Sequence, residues 1–543
     1  MAQLVLGPLL RHVDETSATV WVETDGPCRV EILGSTADTF HIAGHFYALV
    51  IIESLQPAST TPYEVRLDDT MVWPETQSPY PPSRIRTLGH GNAISLVFGS
   101  CRWARPTTAG SDRDLPPDAL DTYATRMARD PEDTWPDALL LLGDQVYADE
   151  TTSHTQTYLR QRRDVEQPPY TEVADFEEYT HLYLESWTDP DVRWLLSTIP
   201  TSMIFDDHDV RDDWNTSHIW REQMQATTWW QERIEGALMS YWVYQQLGNL
   251  APADLATDDL FAAVCTAEDG EPLLREFARK ADAEADGAKG TRWSYRRDFG
   301  RVRLLVIDTR CGRILADNAR SMVSDPEFEW IREQAGADVD HLLIGSSLPW
   351  LMAHALHDIE AWNEHMCTKH DGHLLGRLSE KMRQGADMEH WSSFGESFRR
   401  LARLFADVGS AERAPATICV LSGDVHHAYV AEAKYPDQPQ SRIYQLTCSP
   451  VHNEVPGFMK VGFRLGWSRV ARALTHRWNR LFRVPAAPFE WVKLDGPYFD
   501  NQLATLTLDG RSAAMRLERT ELGPDGPRMT QASEVDLTSA GRS

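Results

Sequence analysis

The sequence lacks the features expected of an exported or membrane-spanning protein. It has only seven cysteines in 543 residues, an odd number without a Cys-x-x-Cys pair, which suits a reducing compartment. The first residues, Met1–Pro8, carry no basic cluster, no twin arginine and no long apolar run, so we expect no signal peptide. No stretch reaches the roughly 18 uninterrupted apolar residues that a membrane span needs. We therefore predict a soluble, cytoplasmic protein, with the inner face of a membrane as an alternative location.

Positive charge is also scarce. The chain has 53 Lys and Arg against 81 Asp and Glu, which gives a formal net charge of −28. Such a surface repels nucleic acid and phosphate alike, so we expect no nucleic-acid partner. An anionic substrate must then be held by a local positive feature, and a bound metal cluster would be one.

The first part of the chain is predicted to be all-β. Apolar and polar residues alternate over 17–23, 28–33 and 61–67, with Gly and Pro between these runs. This pattern predicts a small β-sandwich domain over residues 1–87, similar to immunoglobulin or fibronectin type III domains. A proline-rich linker at 78–83 precedes the change in character.

The rest of the chain has the pattern of an α/β fold. Short continuous apolar runs, typical of strands buried on both faces, alternate with helical stretches. We predict a second domain over 88–526, with a helical insertion at 216–292, and a disordered tail at 527–543. The apolar runs lie at 94–98, 138–142, 203–205, 302–307, 341–344 and 417–421.

Four polar clusters follow four of these buried runs. Because sites in α/β sheets are built where strands end, we expect the clusters to lie together. Separately, each has a structural explanation: Cys101 as a small buried apolar residue, and 206–209 as a loop with helix-capping carboxylates. Their shared position favours a metal site. The clusters are Gly99-Ser100-Cys101, Gly143-Asp144-Gln145-Val146-Tyr147, Asp206-Asp207-His208-Asp209 and Gly423-Asp424-Val425-His426.

The residue types in these clusters suit phosphate-ester hydrolysis. That reaction needs cations on the phosphate oxygens and an activated water, and two metal ions about 3.5–4 Å apart supply both. Asp144 is placed to bridge the two ions. Tyr147 and Cys101 could supply a phenolate and a thiolate, which favour a strongly Lewis-acidic ion such as Fe(III) over Mg²⁺. Asp424 and His426 point to one face of an extended segment, where one can reach each metal.

The third cluster supplies a candidate general acid. If Asp207 is a metal ligand, the adjacent His208 faces a different way and can protonate the departing alkoxide. Asp209 is the candidate to orient His208.

The order and composition of the clusters resemble the calcineurin-like metallophosphoesterases, whose usual motifs are Asp-x-His, Gly-Asp-x-x-Asp, Gly-Asn-His and Gly-His-x-His. Gly-Ser-Cys, Asp-Asp-His-Asp and Ser-Gly-Asp-Val-His are similar to the PhoD-like (alkaline phosphatase D) family in particular. Tyr147 is similar to the tyrosine that binds Fe(III) in purple acid phosphatases. The resemblance extends to the β domain, the segment 82–87 and the run 307–310. It implies an α/β calcineurin-like β-sandwich flanked by helices, with a small N-terminal all-β domain.

The resemblance also implies roles for individual residues. The second ion would be Ca²⁺, which hard carboxylate oxygens suit. Arg310 would clamp phosphate, because a guanidinium fork matches phosphate oxygens, or would instead pair with Asp308. The residues implied for Fe(III) are Cys101, Asp144, Tyr147 and His426, and those implied for Ca²⁺ are Asp144, Asp207 and Asp424.

A basic amphipathic helix is predicted at 458–482. This segment has six Lys and Arg and no acidic residue, and its apolar residues fall on one helical face. On so acidic a chain it could lie on anionic lipid or pack as a lid on the acidic body. We predict the lid.

Three functions remain open at this stage. The leading prediction is metal-dependent hydrolysis of a phosphate ester, with a small molecule or a phospholipid as the substrate. The alternatives are a phosphodiesterase that acts on lipid headgroups at a membrane surface and a catalytically silent scaffold. Candidate ligands in all four clusters argue against the scaffold.

Overall fold

The N-terminal part of the chain is an all-β sandwich, as predicted. A computed structural model describes residues 1–91, 93–104, 115–287, 290–316, 319–336, 338–370 and 373–538. Two four-stranded sheets, in the orders β1-β2-β6-β5 and β4-β3-β8-β9, enclose a separate apolar core, and β7 pairs with β10. The strands are β1 (Leu4–Val13), β2 (Ala18–Thr24), β3 (Arg29–Ile32), β4 (Ser35–Asp38), β5 (Phe40–Ile42), β6 (His45–Ile52), β7 (Thr60–Pro62), β8 (Val65–Leu67), β9 (Thr70–Trp73) and β10 (Arg84–Arg86).

Two larger mixed sheets form the second part of the chain. The first has the strand order β13-β12-β11-β21-β22-β23 and the second β14-β15-β16-β17-β19-β18-β20. Strands β11, β12 and β13 run parallel, as do β15, β16, β17 and β19. The strands are β11 (Ile94–Gly99), β12 (Ala138–Leu142), β13 (Thr201–Ile204), β14 (Tyr295–Phe299), β15 (Val302–Ile307), β16 (His341–Ser346), β17 (Thr417–Ser422), β18 (Ala428–Lys434), β19 (Arg442–Thr447), β20 (Glu490–Tyr498), β21 (Gln502–Asp509), β22 (Ser512–Gly523) and β23 (Gly526–Asp536).

Helices occupy the connections between these strands. The described residues of the predicted insertion at 216–292 form α5 to α10, with a π-helical turn at Trp242–Gln246 between α6 and α7. The helices are α1 (Ala119–Met127), α2 (Ser153–Arg162), α3 (Phe176–Trp187), α4 (Pro190–Thr198), α5 (His218–Gln225), α6 (Trp230–Tyr241), α7 (Leu247–Asn249), α8 (Pro252–Leu255), α9 (Asp259–Thr266), α10 (Glu271–Asp282), α11 (Asp325–Ala335), α12 (His354–Lys369), α13 (Leu374–Gln384), α14 (Gly395–Gly409), α15 (Gly457–Gly466) and α16 (Arg469–Phe482).

The central strands are apolar throughout because both of their faces are buried. Along β15, Leu304 and Val306 join the core between the two sheets, whereas Leu305 and Ile307 face a second core that includes Phe398 of α14. Successive side chains on a strand point to opposite faces, so a strand covered on both sides has no polar alternation. The result is a pair of stacked sheets flanked by helices, which confirms the predicted fold class.

Buried polar contacts fix the N-terminal sandwich to the second part. Arg11 is fully buried and donates to the carbonyl oxygens of Thr201 (3.0 Å) and Tyr244 (2.8 Å). His45 lies between Glu23 and Glu177, with 2.9 Å to each carboxylate. Burial alone lowers the pKa of His45, but the two hydrogen-bonded carboxylates outweigh it and raise that pKa to about 9. The sandwich therefore supports α3 and the start of β13, which precedes one polar cluster.

The C-terminal region differs from the prediction in two respects. Much of the predicted disordered tail (527–543) is strand β23, because it pairs antiparallel with β22 from Gly523 and Gly526 to Ala514 and Asp536. Residues 539–543 of that tail lie outside the described residues. The single helix predicted at 458–482 is instead two helices, since α15 ends at Gly466 and Ser468 caps α16. Among the described residues, no helix combines the length and apolarity that crossing a bilayer requires.

Candidate metal centre

The four polar clusters meet where parallel strands of the two sheets end. Ser100 and Cys101 follow β11 in the first sheet, and Asp424 follows β17 in the second. The Ser100 hydroxyl accepts a hydrogen bond from the Asp424 N–H (3.1 Å), and the Cys101 sulfur lies 3.6 Å from the Asp424 carbonyl oxygen. The candidate site is therefore built across the seam between the two sheets.

Several of the candidate ligands have strained backbones. Cys101, Asp144, Asp424 and His426 have φ values of 60°, 50°, 64° and 48°, in the left-handed region that residues with a Cβ rarely adopt. Gly143 precedes one of them with φ 109°, and a Cβ there would come within 2.6 Å of Asp206. Strained residues cluster at functional sites, where the surrounding structure holds them in place.

The first predicted ligand set comes together. The ligand atoms of Cys101, Asp144 and His426 lie within 4.8 Å of one another, and the hydroxyl of Tyr147 is 3.4 Å from Asp144 Oδ2. Asn453 donates to the Tyr147 hydroxyl at 3.0 Å and so fixes its position. A thiol, a carboxylate, a phenol and an imidazole thus surround one point.

The second predicted set also comes together, with two additions. Ligand oxygens of Asp144, Asp206 and Asp207 lie within 4.8 Å of one another, and so do those of Asp207, Glu389 and Asp424. Asp144 belongs to both this set and the first, as a bridging carboxylate must. Asp206 and Glu389 are close neighbours that the sequence analysis did not assign.

The donor atoms fit bound cations. Asp144 Oδ1 and Asp206 Oδ2 are buried without a hydrogen-bond partner, which is costly for a carboxylate unless a cation lies nearby. Burial raises the pKa of both Asp144 and Asp206, and the neighbouring carboxylates raise it further. Burial likewise raises the pKa of Cys101 and Tyr147, so both need a cation to ionise.

Arg310 lies inside the carboxylate cluster. Its fully buried guanidinium pairs with Asp206 and Glu389, and Nη2 lies 3.2 Å from Asp207 Oδ1. The alternative pairing with Asp308 is wrong, because that carboxylate accepts the Arg310 backbone N–H at 2.8 Å instead. This geometry makes Arg310 an internal counter-charge and does not favour the predicted phosphate clamp.

His208 is oriented by a residue other than the predicted one. Its Nδ1 donates to Asp149 Oδ1 at 2.9 Å, and its ring packs on Tyr147 with 4.7 Å between centroids. Asp209 instead accepts the backbone N–H groups of Asp144 and Asp206, each at 2.9 Å. Residues adjacent in this loop point in different directions, so Asp209 cannot reach the neighbouring imidazole.

The charges of this pair stabilise one another. Burial lowers the pKa of His208, but the Asp149 and Asp207 charges outweigh it and raise that pKa well above its usual value. Burial raises the pKa of Asp149, yet His208 lowers it to about 2. Each group thus favours the charged form of the other.

A second histidine reaches the cluster from outside the strand ends. His390 hydrogen-bonds Asp424 Oδ2 through Nε2 (2.9 Å) and Glu360 Oε1 through Nδ1 (2.8 Å). Burial lowers the pKa of His390, but Glu360 and Asp424 outweigh it and raise that pKa. The sequence analysis missed His390 and Glu389 because they follow no apolar run.

Known protein families match both parts of the chain. Residues 1–85 match a domain of unknown function (DUF7800), and residues 116–476 match the family model of the PhoD-like phosphatases. No curated protein sequence matches the chain. The structure described as "Structure of PhoD" is 11% identical with a TM-score of 0.57, and the match covers 98% of this chain and 89% of that one. A purple acid phosphatase, PPD1 from yellow lupin (Lupinus luteus) seeds, is also 11% identical, with a TM-score of 0.52 and coverage of 97% and 73%.

These two structures share the fold of this chain, and the family match shows to which family the chain belongs. It spans well over half of the chain and includes most of the candidate ligands, from Asp144 to His426. The resemblance inferred from the sequence motifs is thereby confirmed. The chain belongs to the PhoD-like phosphatase family.

Proposed function

We propose that the chain is a metal-dependent phosphoric-ester hydrolase in which His208 is the general acid. The observation that carries this proposal is the sharing of Asp144 between two groups of ligand atoms, beside a histidine held by a buried carboxylate. Shared carboxylates are typical of two-metal hydrolytic sites.

The two groups differ in chemistry, which supports two different ions. Thiolate and phenolate donors favour Fe(III), and hard carboxylate oxygens suit Ca²⁺. When bound, such ions neutralise phosphate oxygens and lower the pKa of a water molecule. We assign Fe(III) to Cys101, Asp144, Tyr147 and His426, and Ca²⁺ to Asp144, Asp207 and Asp424.

The protein's own residues supply proton transfer and positioning. Nδ1 of His208 is committed to Asp149, which leaves Nε2 to deliver a proton to the departing oxygen. Arg310 holds Asp206 and Glu389 in place and offsets part of the negative charge before a cation binds. The net charge of −28 supports a small phosphate ester or a phospholipid over a nucleic acid.

The test compares a substitution at one candidate ligand with a substitution at a surface carboxylate. Protein purified without chelator should hydrolyse p-nitrophenyl phosphate or bis(p-nitrophenyl) phosphate, and metal analysis should find Fe and Ca. Asp144→Asn should lose both the metals and the activity, whereas Asp509→Asn, an exposed carboxylate at the end of β21, should change neither. Full activity in metal-free Asp144→Asn protein would contradict the proposal.

A lipid-headgroup phosphodiesterase is the second candidate. One observation favours it, because it places the amphipathic helix α15 beside the candidate ligands. Phe463 of α15 packs on His427 with 4.5 Å between ring centroids, and His427 is adjacent to His426 of the first ligand set. Faster turnover of a phospholipid in mixed micelles than of a soluble diester would support this candidate. A silent scaffold is disfavoured because every predicted ligand position carries a ligand side chain.

A further inference from the structure

Helix α16 exposes its apolar face. Val470, Leu474, Trp478 and Leu481 are between 50% and 73% exposed. Their spacing of four, four and three residues places them on one side of the helix. An apolar stripe of this kind normally faces a protein core.

The opposite side of α16 is attached to the protein by other contacts. Thr475 donates to Asp358 Oδ2 (2.6 Å) and Asn479 donates to the Asp358 carbonyl oxygen (2.9 Å), both on α12. Phe482 packs on Trp362 of α12 with ring centroids 6.0 Å apart. Trp478 of the stripe also packs on Trp362, with ring centroids 6.1 Å apart. The helix therefore lies against the body while most of its stripe stays exposed, and its action as a lid stays a prediction.

A neighbouring helix extends the apolar surface. Helix α15 contacts both α12 and α16. Its exposed large apolar side chains are Phe458, Met459, Val461 and Leu465. Concentrated exposure of this kind marks an interaction surface.

The charge of this surface is the reverse of the charge of the whole protein. Helices α15 and α16, every residue of which the structure describes, contain no acidic side chain. The chain as a whole carries a net charge of −28. The exposed basic residues are Arg464, Arg469, Arg477 and Arg480.

We propose that α15 and α16 form a docking surface for an anionic lipid bilayer. Apolar side chains would enter the boundary between headgroups and acyl chains, and the arginines would contact lipid phosphates and carboxylates. A symmetric contact with a second copy fits less well, because it would bring the same basic residues face to face. The proposal does not depend on the catalytic activity.

The test is co-sedimentation of the full-length protein with vesicles. The wild type should bind vesicles that contain phosphatidylserine, should bind phosphatidylcholine vesicles much more weakly, and should dissociate at high salt. Each basic residue near an anionic surface contributes roughly fivefold to partitioning, so Arg469→Gln, Arg477→Gln and Arg480→Gln together should weaken binding about 100-fold. Leu474→Gln with Leu481→Gln should also weaken it.

Matched controls separate local from general charge effects. Arg413→Gln, Arg511→Gln and Arg528→Gln remove the same charge from exposed positions outside the two helices and should leave binding unchanged. Leu522→Gln, an exposed apolar position on β22, serves the same purpose for the apolar pair. Circular dichroism and hydrolysis of a soluble ester should be the same in all variants.

Three outcomes would overturn the proposal. The first is a wild type that does not bind phosphatidylserine vesicles at low salt. The second is an equal loss of binding in the control triple variant, because net charge alone would then explain binding. The third is a dimer in sedimentation velocity that Leu474→Gln with Leu481→Gln dissociates, which would assign the surface to self-association.

Discussion

Replacing Asp149 tests whether the buried carboxylate beside His208 serves the general acid. Asp149→Asn removes the negative charge but keeps one acceptor oxygen, and at the position of Oδ2 that oxygen lies within reach of both His208 Nδ1 (3.1 Å) and the Asp212 N–H (2.6 Å). The loop should therefore keep its shape while the imidazolium loses its counter-charge.

The expected loss follows from the burial of the pair. The side chains of His208 and Asp149 are 19% and 7% exposed, so solvent screens their interaction only in part. A hydrogen bond to a charged group is worth about 1.5–3 kcal/mol, which corresponds to a roughly 10- to 150-fold loss of kcat/KM. His208→Ala should lose about 10²–10⁴-fold, the usual contribution of a general acid.

The assay is a series of aryl and alkyl phosphate esters with leaving groups of increasing pKa. Esters with poor leaving groups need protonation and should show the full loss, whereas activated aryl esters should lose much less. In both variants the dependence of log kcat/KM on leaving-group pKa should steepen, with bound metal unchanged. Equal losses across the series, or loss of metal from Asp149→Asn, would refute the assigned role.

Three further predictions concern the metals and the domain contact. Tyr147→Phe should shift or abolish a visible charge-transfer band, because phenolate and thiolate donate into Fe(III), and a colourless wild type with Zn alone would contradict the ligand assignment. Chelation should lower the melting temperature of the wild type but not of Asp144→Asn, because a cation that binds the folded protein stabilises it. The pKa of His45 is raised above its unfolded value of 6.5 to about 9, so its ion pairs with Glu23 and Glu177 stabilise the fold fully below pH 6.5 and are lost as the pH rises through 9. Thermal melts should show that the free energy of unfolding of the wild type falls by at most about 3 kcal/mol over this pH range. The free energy of unfolding of His45→Gln should change much less over the same range.

The proximity of the candidate ligands could be predicted because they follow strands. Buried apolar runs are visible in the sequence, and parallel strands bring their ends to one edge of a sheet. Cys101, Asp144, Asp207 and Asp424 were found in this way, although they are spread over more than 300 residues. Glu389 was not found, because it lies in a loop after α13 and no periodic pattern marks it.

The direction in which a side chain points was harder to predict than its position in the chain. Asp209 was assigned to His208 because the two are adjacent in sequence, but the backbone turns Asp209 towards the amides of Asp144 and Asp206. The same difficulty applies to α16. Its periodicity showed that an apolar face exists, but periodicity contains no information on whether that face meets protein or solvent.

Asp209, the carboxylate that was assigned to His208, explains how the strained backbone of the site is stabilised. Left-handed residues such as Cys101 and Asp144 cost of order 1–3 kcal/mol each, and the buried carboxylates around them repel one another. Asp209 opposes the strain, because it accepts the backbone N–H groups of Asp144 and Asp206. The backbone therefore fixes the candidate ligand oxygens close together, where their combined negative charge would attract a cation. A site whose loops could relax would lose this affinity, so the residue that shapes the backbone matters to metal binding without touching the metal.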